Sequence, residues 1–225
     1  MQEELDSTIA YFQSQFHIKK HANFIFYEGS YLNHTINIIL SGIGKVNAAI
    51  HTQFMIDHTS PELVINVGVA GGLSNTVTFG DVVIATSLIQ HDVDVSAFGL
   101  PIGQIPRMDV FDFPCAIDLL SDIDTTKIND FKIHYGKILS GDQFIDDETK
   151  AIQLEDHFKA LGVEMEGAAI AQVCHVNNIQ VMVIRSISDM AGIKSKATHS
   201  FDELKYMASG RAGYMLYLIL NLLQR

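Results

Sequence analysis

Apolar residues along the chain follow two spacings, and these predict strands that alternate with helices. Apolar or β-branched runs typical of buried strands occur at 63–67, 81–89, 131–139, 161–163 and 179–187. Helices are predicted at 3–16, 45–58 and 167–177, with a polar helix at 146–158. A capping-box pattern at Ser200 begins a long helix to Leu222, whose apolar residues, Met207 among them, would cover one face of the sheet. The glycine-rich run 68–72 is predicted to be a loop at the end of a strand. Weak alternation at 23–31 predicts an antiparallel hairpin with 35–40. The alternation predicts a three-layer α/β/α sandwich around a mostly parallel or mixed sheet.

The segment 162–190 is predicted to form a strand, a helix and a second strand, each followed by polar or charged residues. Glu164 and Glu166 follow the first apolar run, and the second strand contains Arg185 and stops at Ser188 and Asp189. Placing charged groups beside a core costs free energy unless they are paired or take part in binding or catalysis. Ligands of open α/β sheets bind outside the carboxyl ends of the strands. Spacing alone leaves two interpretations open: a binding site, or solvated acids with a structural ion pair.

Composition narrows the class of protein. A chain of 225 residues, 48% hydrophobic and 18% charged, is typical of one well-cored domain, here residues 1–225. A formal net charge of −11 without a basic cluster argues against nucleic-acid and acidic-membrane partners. Only two cysteines, Cys115 and Cys174, are present, and the first residues lack the form of a signal peptide. The cytoplasm is therefore the expected location.

A possible metal-binding pattern occurs at His91-Asp92-Val93-Asp94, which combines an imidazole with two carboxylates. No further His or acid stands at helical spacing to complete a coordination shell, so we predict no metal site. The Gly-rich turn SGIG at 41–44 lacks the P-loop spacing and is weak evidence for a phosphate cradle.

Eight segments, in order along the chain, resemble one enzyme family. They are SGIGKVNAA (41–49), NVGVAGGL (66–73), HDVDVSAFG (91–99), GQIP (103–106), SGDQFI (140–145), VEMEGAAIAQVCH (163–175), VIRSISD (183–189) and SFDE (200–203). This set resembles the 5′-methylthioadenosine/S-adenosylhomocysteine nucleosidases of the purine nucleoside phosphorylase superfamily. One Gly-rich loop would be weak evidence, whereas an ordered set is specific. The resemblance implies a nucleoside phosphorylase-like fold and a homodimer.

The resemblance also implies an apolar strand and a Gly-Ala-Met turn before the first helix. Here Met1-Gln2-Glu3-Glu4-Leu5 matches only the end of that turn, with Gln2 in place of the first acid. We therefore expect the family's first strand to be missing from this chain: either the native protein lacks it, or the sequence is a fragment or has a late start site. A sheet without it would leave backbone groups unpaired and lose apolar burial, at roughly 25 cal/mol per Å², so we expect lowered stability.

The resemblance implies hydrolysis of 5′-methylthioadenosine and S-adenosylhomocysteine, and of 5′-deoxyadenosine, to adenine and a ribose derivative in methionine salvage and the methyl cycle. This chemistry must neutralise the departing adenine, stabilise an oxocarbenium-like ribosyl group and aim a water at C1′. By resemblance, Asp189 protonates adenine N7, Glu4 is the general base for the water, and Glu166 binds the ribose hydroxyls. No cofactor is implied.

The same resemblance implies the substrate contacts. Phe144 would stack on adenine, the Ile145 backbone would read its edge, and Met165 would pack on the sugar. Further contacts are implied for Ile43, Val69, Ala70, Gly71, Glu164, Arg185, Ser188 and Phe201. A partner subunit would add Val95, Phe98, Leu100 and Pro106 to the pocket. Taken singly, Phe144, Ile43 and Met165 are more typical of core residues, and Glu4 would also suit a helical first turn.

Three positions depart from the family pattern, and two other functions stay open. Val69 replaces a Ser, Leu100 a Tyr and Gly167 an Ala, which affects efficiency and the preferred 5′ substituent more than the fold. One alternative is a purine nucleoside phosphorylase, although the chain shows no evident Arg-bearing phosphate loop near its beginning. The other is a degenerate paralogue that binds adenine nucleosides, or only dimerises, without catalysis.

Overall fold

The computed structural model describes residues 2–12, 16–120, 130–192 and 201–223. Each predicted helix and strand is present in it. In chain order the elements are α1 (Gln2–Tyr11), β1 (His17–His21), β2 (Phe24–Tyr31), β3 (His34–Ile39), α2 (Lys45–Thr59), β4 (Leu63–Gly72), β5 (Val82–Gln90), β6 (Phe113–Pro114), β7 (Ile133–Ser140), α3 (Glu148–Phe158), β8 (Gly162–Glu164), α4 (Gly167–Val176), β9 (Gln180–Met190) and α5 (Phe201–Leu222).

The central sheet is mixed, as predicted. Its strand order is β6-β5-β7-β8-β4-β9, and β9 also pairs with β5, so the sheet curls back on itself. The β4–β9 and β5–β7 pairs are parallel, and β8 is parallel to β7 but antiparallel to β4. This closure brings Glu164, the last residue of β8, against the middle of β9.

Helices cover the two faces of the sheet and complete the three layers. On one face, Met215 and Ile219 of α5 are fully buried against Ile84 and Ile184 of the sheet. On the other face, α4 and α2 pack with the opposite sides of the same strands. No helix in the described part of the chain is long and apolar enough to cross a membrane.

The predicted hairpin is confirmed, with an additional strand on its outer edge. Strands β2 and β3 pair antiparallel, and β1 pairs with β2. The sheet packs on α2 through Phe24, whose ring stacks on Phe54 at 3.9 Å between centroids. Strand β1 has the sequence HIKKH, and all five of its residues are exposed. Because neither face of β1 is buried, its sequence shows no alternation of apolar and polar residues from which the strand could be predicted.

Several details of the predicted helices and strands are wrong. Helix α1 ends at Tyr11 rather than at residue 16. The predicted loop 68–72 instead continues β4, because it stays paired with β9 up to Gly72 and Met190. A Cβ on Gly72 would lie 2.7 Å from the Met190 sulfur, so a side chain there would require Met190 to shift. Met207 was expected to face the sheet but is 48% exposed, since it lies about 100° around the helix from buried Ala208.

One edge of β4 is mostly unpaired within the described residues, since it pairs with β8 only at Gly71 and Gly72. Val64, Ile65 and Val67 of β4 are only partly buried. The lowered stability expected from such an edge stays a prediction. The capping pattern that begins at Ser200 lies outside the described residues, and the structure describes α5 from Phe201 onward.

Candidate active site

A buried ion pair between Glu164 and Arg185 lies at the centre of the site. The two residues are 7% and 2% exposed, and Arg185 Nη2 donates to Glu164 Oε2 at 2.6 Å. Arg185 also donates to the side chain of Asn66 and, at 3.3 Å, to its main-chain carbonyl. Burial acts to lower the pKa of Arg185, but Glu164 and then Glu166 outweigh it, and the pKa is raised. The guanidinium therefore stays charged in the core.

Glu164 also organises the start of helix α4. Its carboxylate accepts hydrogen bonds from the main-chain N–H groups of Glu166, at 3.1 Å, and of Gly167, at 2.9 and 2.8 Å. The Ser140 hydroxyl donates to the same carboxylate and accepts from the Ala168 N–H at 2.7 Å. An anion in this position satisfies the unpaired donors of a helix N-terminus. Glu164 thus fixes the segment that carries Glu166.

Glu166 lies between the beginnings of two helices. It directly precedes α4, and its Oε1 accepts from the main-chain N–H of Gly44, at the start of α2, at 2.8 Å. Burial raises the pKa of Glu166, and the nearby Glu164 carboxylate raises it further. Gly44 has a φ of +90°, a conformation that explains the glycine at this position. Two segments far apart in the sequence are thus joined at a carboxylate predicted to hold ribose.

Asp189 occupies the end of β9, away from the buried ion pair. Burial raises the pKa of its carboxyl, and the Ser188 hydroxyl, which donates to Oδ1 at 2.7 Å, partly opposes the shift. A carboxyl that keeps its proton above its ordinary pKa is suited to donate that proton. By linkage, the stability gained from the neutral form is complete below the ordinary carboxyl pKa and is lost as pH rises through the raised one.

Glu4 reaches from α1 into the site. Its Oε1 accepts from the Val69 main-chain N–H at 3.3 Å. A Cβ on Gly68 would lie 2.8 Å from that oxygen and 3.4 Å from Arg185 Nη1. The missing side chain at Gly68 therefore lets the Glu4 carboxylate approach the strand beside the guanidinium. Because the donor to Glu4 is a main-chain group, the replacement of a Ser by Val69 does not remove this contact.

The other predicted contacts lie on neighbouring strands and at an open rim. The β4 residues Val69, Ala70 and Gly71 are in register with Ser186, Ile187 and Asp189 of β9. Ile145 is buried, and its carbonyl accepts from Gly192 N at 3.0 Å. Phe144 and Ile43 are 66% and 61% exposed, so the interpretation of these two as core residues is wrong. Met165 is partly buried, and the Phe201 side chain lies outside the described part.

The residues predicted to serve a partner subunit lie in the segment after β5. A short 3₁₀ helix, Ser96–Phe98, projects Phe98, which is 86% exposed. Val95 and Leu100 are partly buried and Pro106 is exposed. Their place in a partner's pocket stays a prediction.

The side chains of the His-Asp-Val-Asp segment do not converge. His91 is buried, Asp92 accepts from Lys45 Nζ at 2.6 Å, and Asp94 accepts from the Ser96 N–H at 2.9 Å. Across the described ranges, no three His, Cys, Asp or Glu side chains are grouped so that they could hold a metal ion. Each acid of this segment instead has a hydrogen-bonding role.

Sequence reasoning missed the polar residues that support the site. Asn66 and Ser140 hold Arg185 and Glu164, and Gly44 holds Glu166. Asn66 and Ser140 could have been noticed as polar residues within or at the end of apolar strands, where an unpaired polar group is costly. Their partners could not be identified without the fold.

Comparison with known proteins places this arrangement in a class. Residues 1–224 match the family model described as the phosphorylase superfamily. The predicted fold class is confirmed by solved relatives with TM-scores of 0.88 and 0.89.

Relatives within that superfamily narrow the assignment. A 5′-methylthioadenosine/S-adenosylhomocysteine nucleosidase of Pseudoalteromonas translucida is 42% identical over 203 residues, which is 89% of this chain and 85% of the relative. One from Exiguobacterium is 40% identical over 206 residues, covering 91% and 88%. A mutant Helicobacter pylori nucleosidase, solved with 5′-methylthioadenosine in its active site, has a TM-score of 0.88 at 33% identity, covering 98% and 95%. The chain therefore belongs to the 5′-methylthioadenosine/S-adenosylhomocysteine nucleosidase family, as the sequence predicted.

Replacing Glu164 with Gln is expected to lower the free energy of unfolding by about 3–5 kcal/mol, because it leaves the buried Arg185 guanidinium without its anion. Urea unfolding at neutral pH measures the change. The matched control is Glu28→Gln, which breaks an exposed pair with Lys19 at 3.1 Å and should cost less than about 1 kcal/mol. Equal losses in the two variants would contradict a central role for the buried pair.

Proposed function

We propose that this protein hydrolyses the N-ribosidic bond of 5′-methylthioadenosine and S-adenosylhomocysteine, and of 5′-deoxyadenosine, to adenine and the matching ribose derivative. In the cell this reaction would serve methionine salvage and the methyl cycle. The observation that carries the proposal is the position of Asp189, a partly buried carboxyl whose pKa is raised by burial, on a strand next to the one that Glu4 contacts. The nucleosidase names of the relatives support the same reaction.

The reaction needs a proton for the leaving base. As the C1′–N9 bond breaks, its electron pair moves into the adenine ring, and Asp189 delivers its proton to N7. Burial and the resulting raised pKa of Asp189 support this role, because a general acid works best when its pKa lies near the working pH. Ser188 donates to Asp189 at 2.7 Å and would hold the carboxyl in a fixed orientation.

The ribosyl group left behind is electron-deficient and is captured by water. The water oxygen bonds to C1′, and its proton passes to Glu4. Glu166 holds the ribose hydroxyls, and the neighbouring carboxylates stabilise the developing positive charge. Arg185 keeps these acids together, since it lies close to Glu4 and is paired with Glu164. Exposed Phe144 and Ile43 supply apolar surface at the rim for the base and the 5′ group.

We also propose that residues 1–225 form a single domain, that two copies of this domain form a homodimer, and that the protein is cytoplasmic. The segment 95–106 presents an almost fully exposed Phe98, which would be a liability on an isolated monomer. In a dimer, this segment would complete the partner's pocket. Cys115 and Cys174 are free, buried thiols, which fits a reducing compartment.

The proposed reaction is tested by adenine release from 5′-methylthioadenosine in phosphate-free buffer, followed by chromatography. We expect adenine and methylthioribose to form without phosphate, and added phosphate to leave the rate unchanged. A strict requirement for phosphate would identify a phosphorylase instead. Binding of the nucleoside without any product would identify a non-catalytic binding protein.

Asp189→Asn should reduce kcat by about 10²- to 10⁴-fold, the usual contribution of a positioned general acid. Asn keeps the shape of the side chain but delivers no acidic proton, so KM should change less than kcat. Glu166→Gln should impair both parameters, because ribose contacts exist in the ground state too. Steady-state kinetics on 5′-methylthioadenosine measure both variants. Near-normal kcat in Asp189→Asn would show that the acid is a different residue.

Phe98→Asp is expected to convert the dimer to monomers and to weaken substrate binding, because a charge at the interface opposes its burial. Sedimentation velocity at micromolar concentration reports the assembly, and KM reports the pocket. Ile152→Asp is the control, since Ile152 is 52% exposed on α3 and should alter neither. A fully active monomer of the unmodified protein would refute the shared pocket.

A further inference from the structure

The beginning of helix α2 is stabilised by side chains from distant parts of the chain. Its N-cap residue, Gly44, offers no side-chain acceptor, and its first turn carries no acidic residue. The first N–H groups of a helix need acceptors from elsewhere. Gly44 N donates to Glu166 Oε1 and Lys45 N donates to Asp142 Oδ1, both at 2.8 Å. Two carboxylates therefore share one helix terminus, where the helix dipole favours negative charge.

Asp142 is held in place by a closed set of hydrogen bonds. Its own main-chain N–H donates to Asp92 Oδ2 at 3.0 Å. The other oxygen of Asp92 accepts from Lys45 Nζ at 2.6 Å, in an ion pair whose side chains are 18% and 14% exposed. Lys45 Nζ donates in addition to Gln90 Oε1 at 3.1 Å, at the end of β5. Lys45, Asp92 and Asp142 thus form a ring of contacts, here called the Lys45–Asp92–Asp142 clamp.

The charge state of Asp92 supports this arrangement. Burial acts to raise its pKa, but the hydrogen bonds from Lys45 and from the Asp142 N–H outweigh burial, and the pKa is lowered. The carboxylate is therefore ionised at neutral pH and attracts the Lys45 ammonium. Because the pair is largely shielded from solvent, salt screens it less than it would an exposed pair.

The clamp connects the two halves of the proposed substrate site. Asp142 lies two residues before Phe144, which is predicted to stack on adenine, whereas Gly44 binds Glu166, which is predicted to hold ribose. Phe144 is 66% exposed, so its own packing restrains the loop only weakly. The loop is also held to the sheet by Gly141, whose N–H donates to the Glu164 carbonyl at 3.1 Å, and by buried Ile145. The contacts of Asp142 are those that join the loop directly to α2.

We infer that Lys45, Asp92 and Asp142 are positioning residues that hold the loop 141–145, here called the adenine loop, at a fixed distance from Glu166. This inference rests on the proposed function. With the clamp intact, the loop is ordered before the nucleoside arrives, and binding requires little further ordering. Without it, the loop must be ordered during binding. The acid and the base of the reaction are untouched, so the effect falls on substrate affinity more than on turnover.

The test compares Asp142→Ala with the conservative Asp142→Asn. Loss of a helix-capping acceptor is worth about 1 kcal/mol, so Asp142→Ala should raise KM for 5′-methylthioadenosine by roughly five- to tenfold, with a smaller change in kcat. Adenine affinity, measured by calorimetry, should fall in parallel. Asp142→Asn retains an acceptor oxygen and should recover most of both. Asp156→Ala, at an exposed ion pair on α3 with both side chains 74% exposed, is the control and should change neither.

Asp92→Asn should act in the same direction as Asp142→Ala, and the double variant should fall short of the sum, because the two residues share one set of contacts. A lower kcat with unchanged KM and adenine affinity would show fewer folded molecules rather than a displaced loop, and would overturn the inference. So would unchanged kinetics and affinity in Asp142→Ala. If the unmodified protein neither binds nor releases adenine, the proposed function fails, and the inference fails with it.

Discussion

The rest of the site depends on the buried ion pair between Glu164 and Arg185. Two charges in a core are costly unless their remaining hydrogen-bonding groups are also satisfied. Here the side chain of Asn66 accepts a hydrogen bond from the guanidinium, while Ser140 and Gly167 donate to the carboxylate. Arg185 Nε is buried and has no hydrogen-bond partner among the described residues. The partners of the pair come from β4, β7 and α4, so one ion pair ties these three elements to β9. Glu166 and Glu4 occupy their positions because this framework is fixed.

The site separates its carboxyl groups into two environments. Glu4, Glu164 and Glu166 act on a single guanidinium, and they raise the pKa of Arg185 despite its burial. Asp189 lies at the end of the strand, where burial raises its pKa and Ser188 is its hydrogen-bond donor. Burial also raises the pKa of Glu166, and the Glu164 carboxylate adds to that shift. Asp189 differs from the glutamates in its partner, which is a serine hydroxyl and not the guanidinium that the three glutamates surround.

Two glycines lie where the backbone comes close to a carboxylate of the site. Gly68 allows the Glu4 carboxylate to reach β4, and Gly44, at positive φ, turns an N–H toward Glu166. In the sequence, the run 68–72 suggests a loop because glycine is rare in strands. Pairing with β9 keeps it extended. The prediction was wrong because glycine propensity is a local property, whereas pairing with an existing strand is a property of the whole sheet.

The sequence by itself determined the order of strands and helices, the mixed α/β/α class and the family, because apolar periodicity and ordered motifs are local properties that a linear chain displays directly. It also singled out Asp189 and Glu166, which follow recognisable strands. Only the tertiary structure decided which groups meet. Arg185 and Asn66 are 119 residues apart, Gly44 and Glu166 are 122 apart, and Lys45 and Asp142 are 97 apart. Contacts over such separations depend on how the sheet closes and how helix α2 is placed, and no spacing within the chain encodes them.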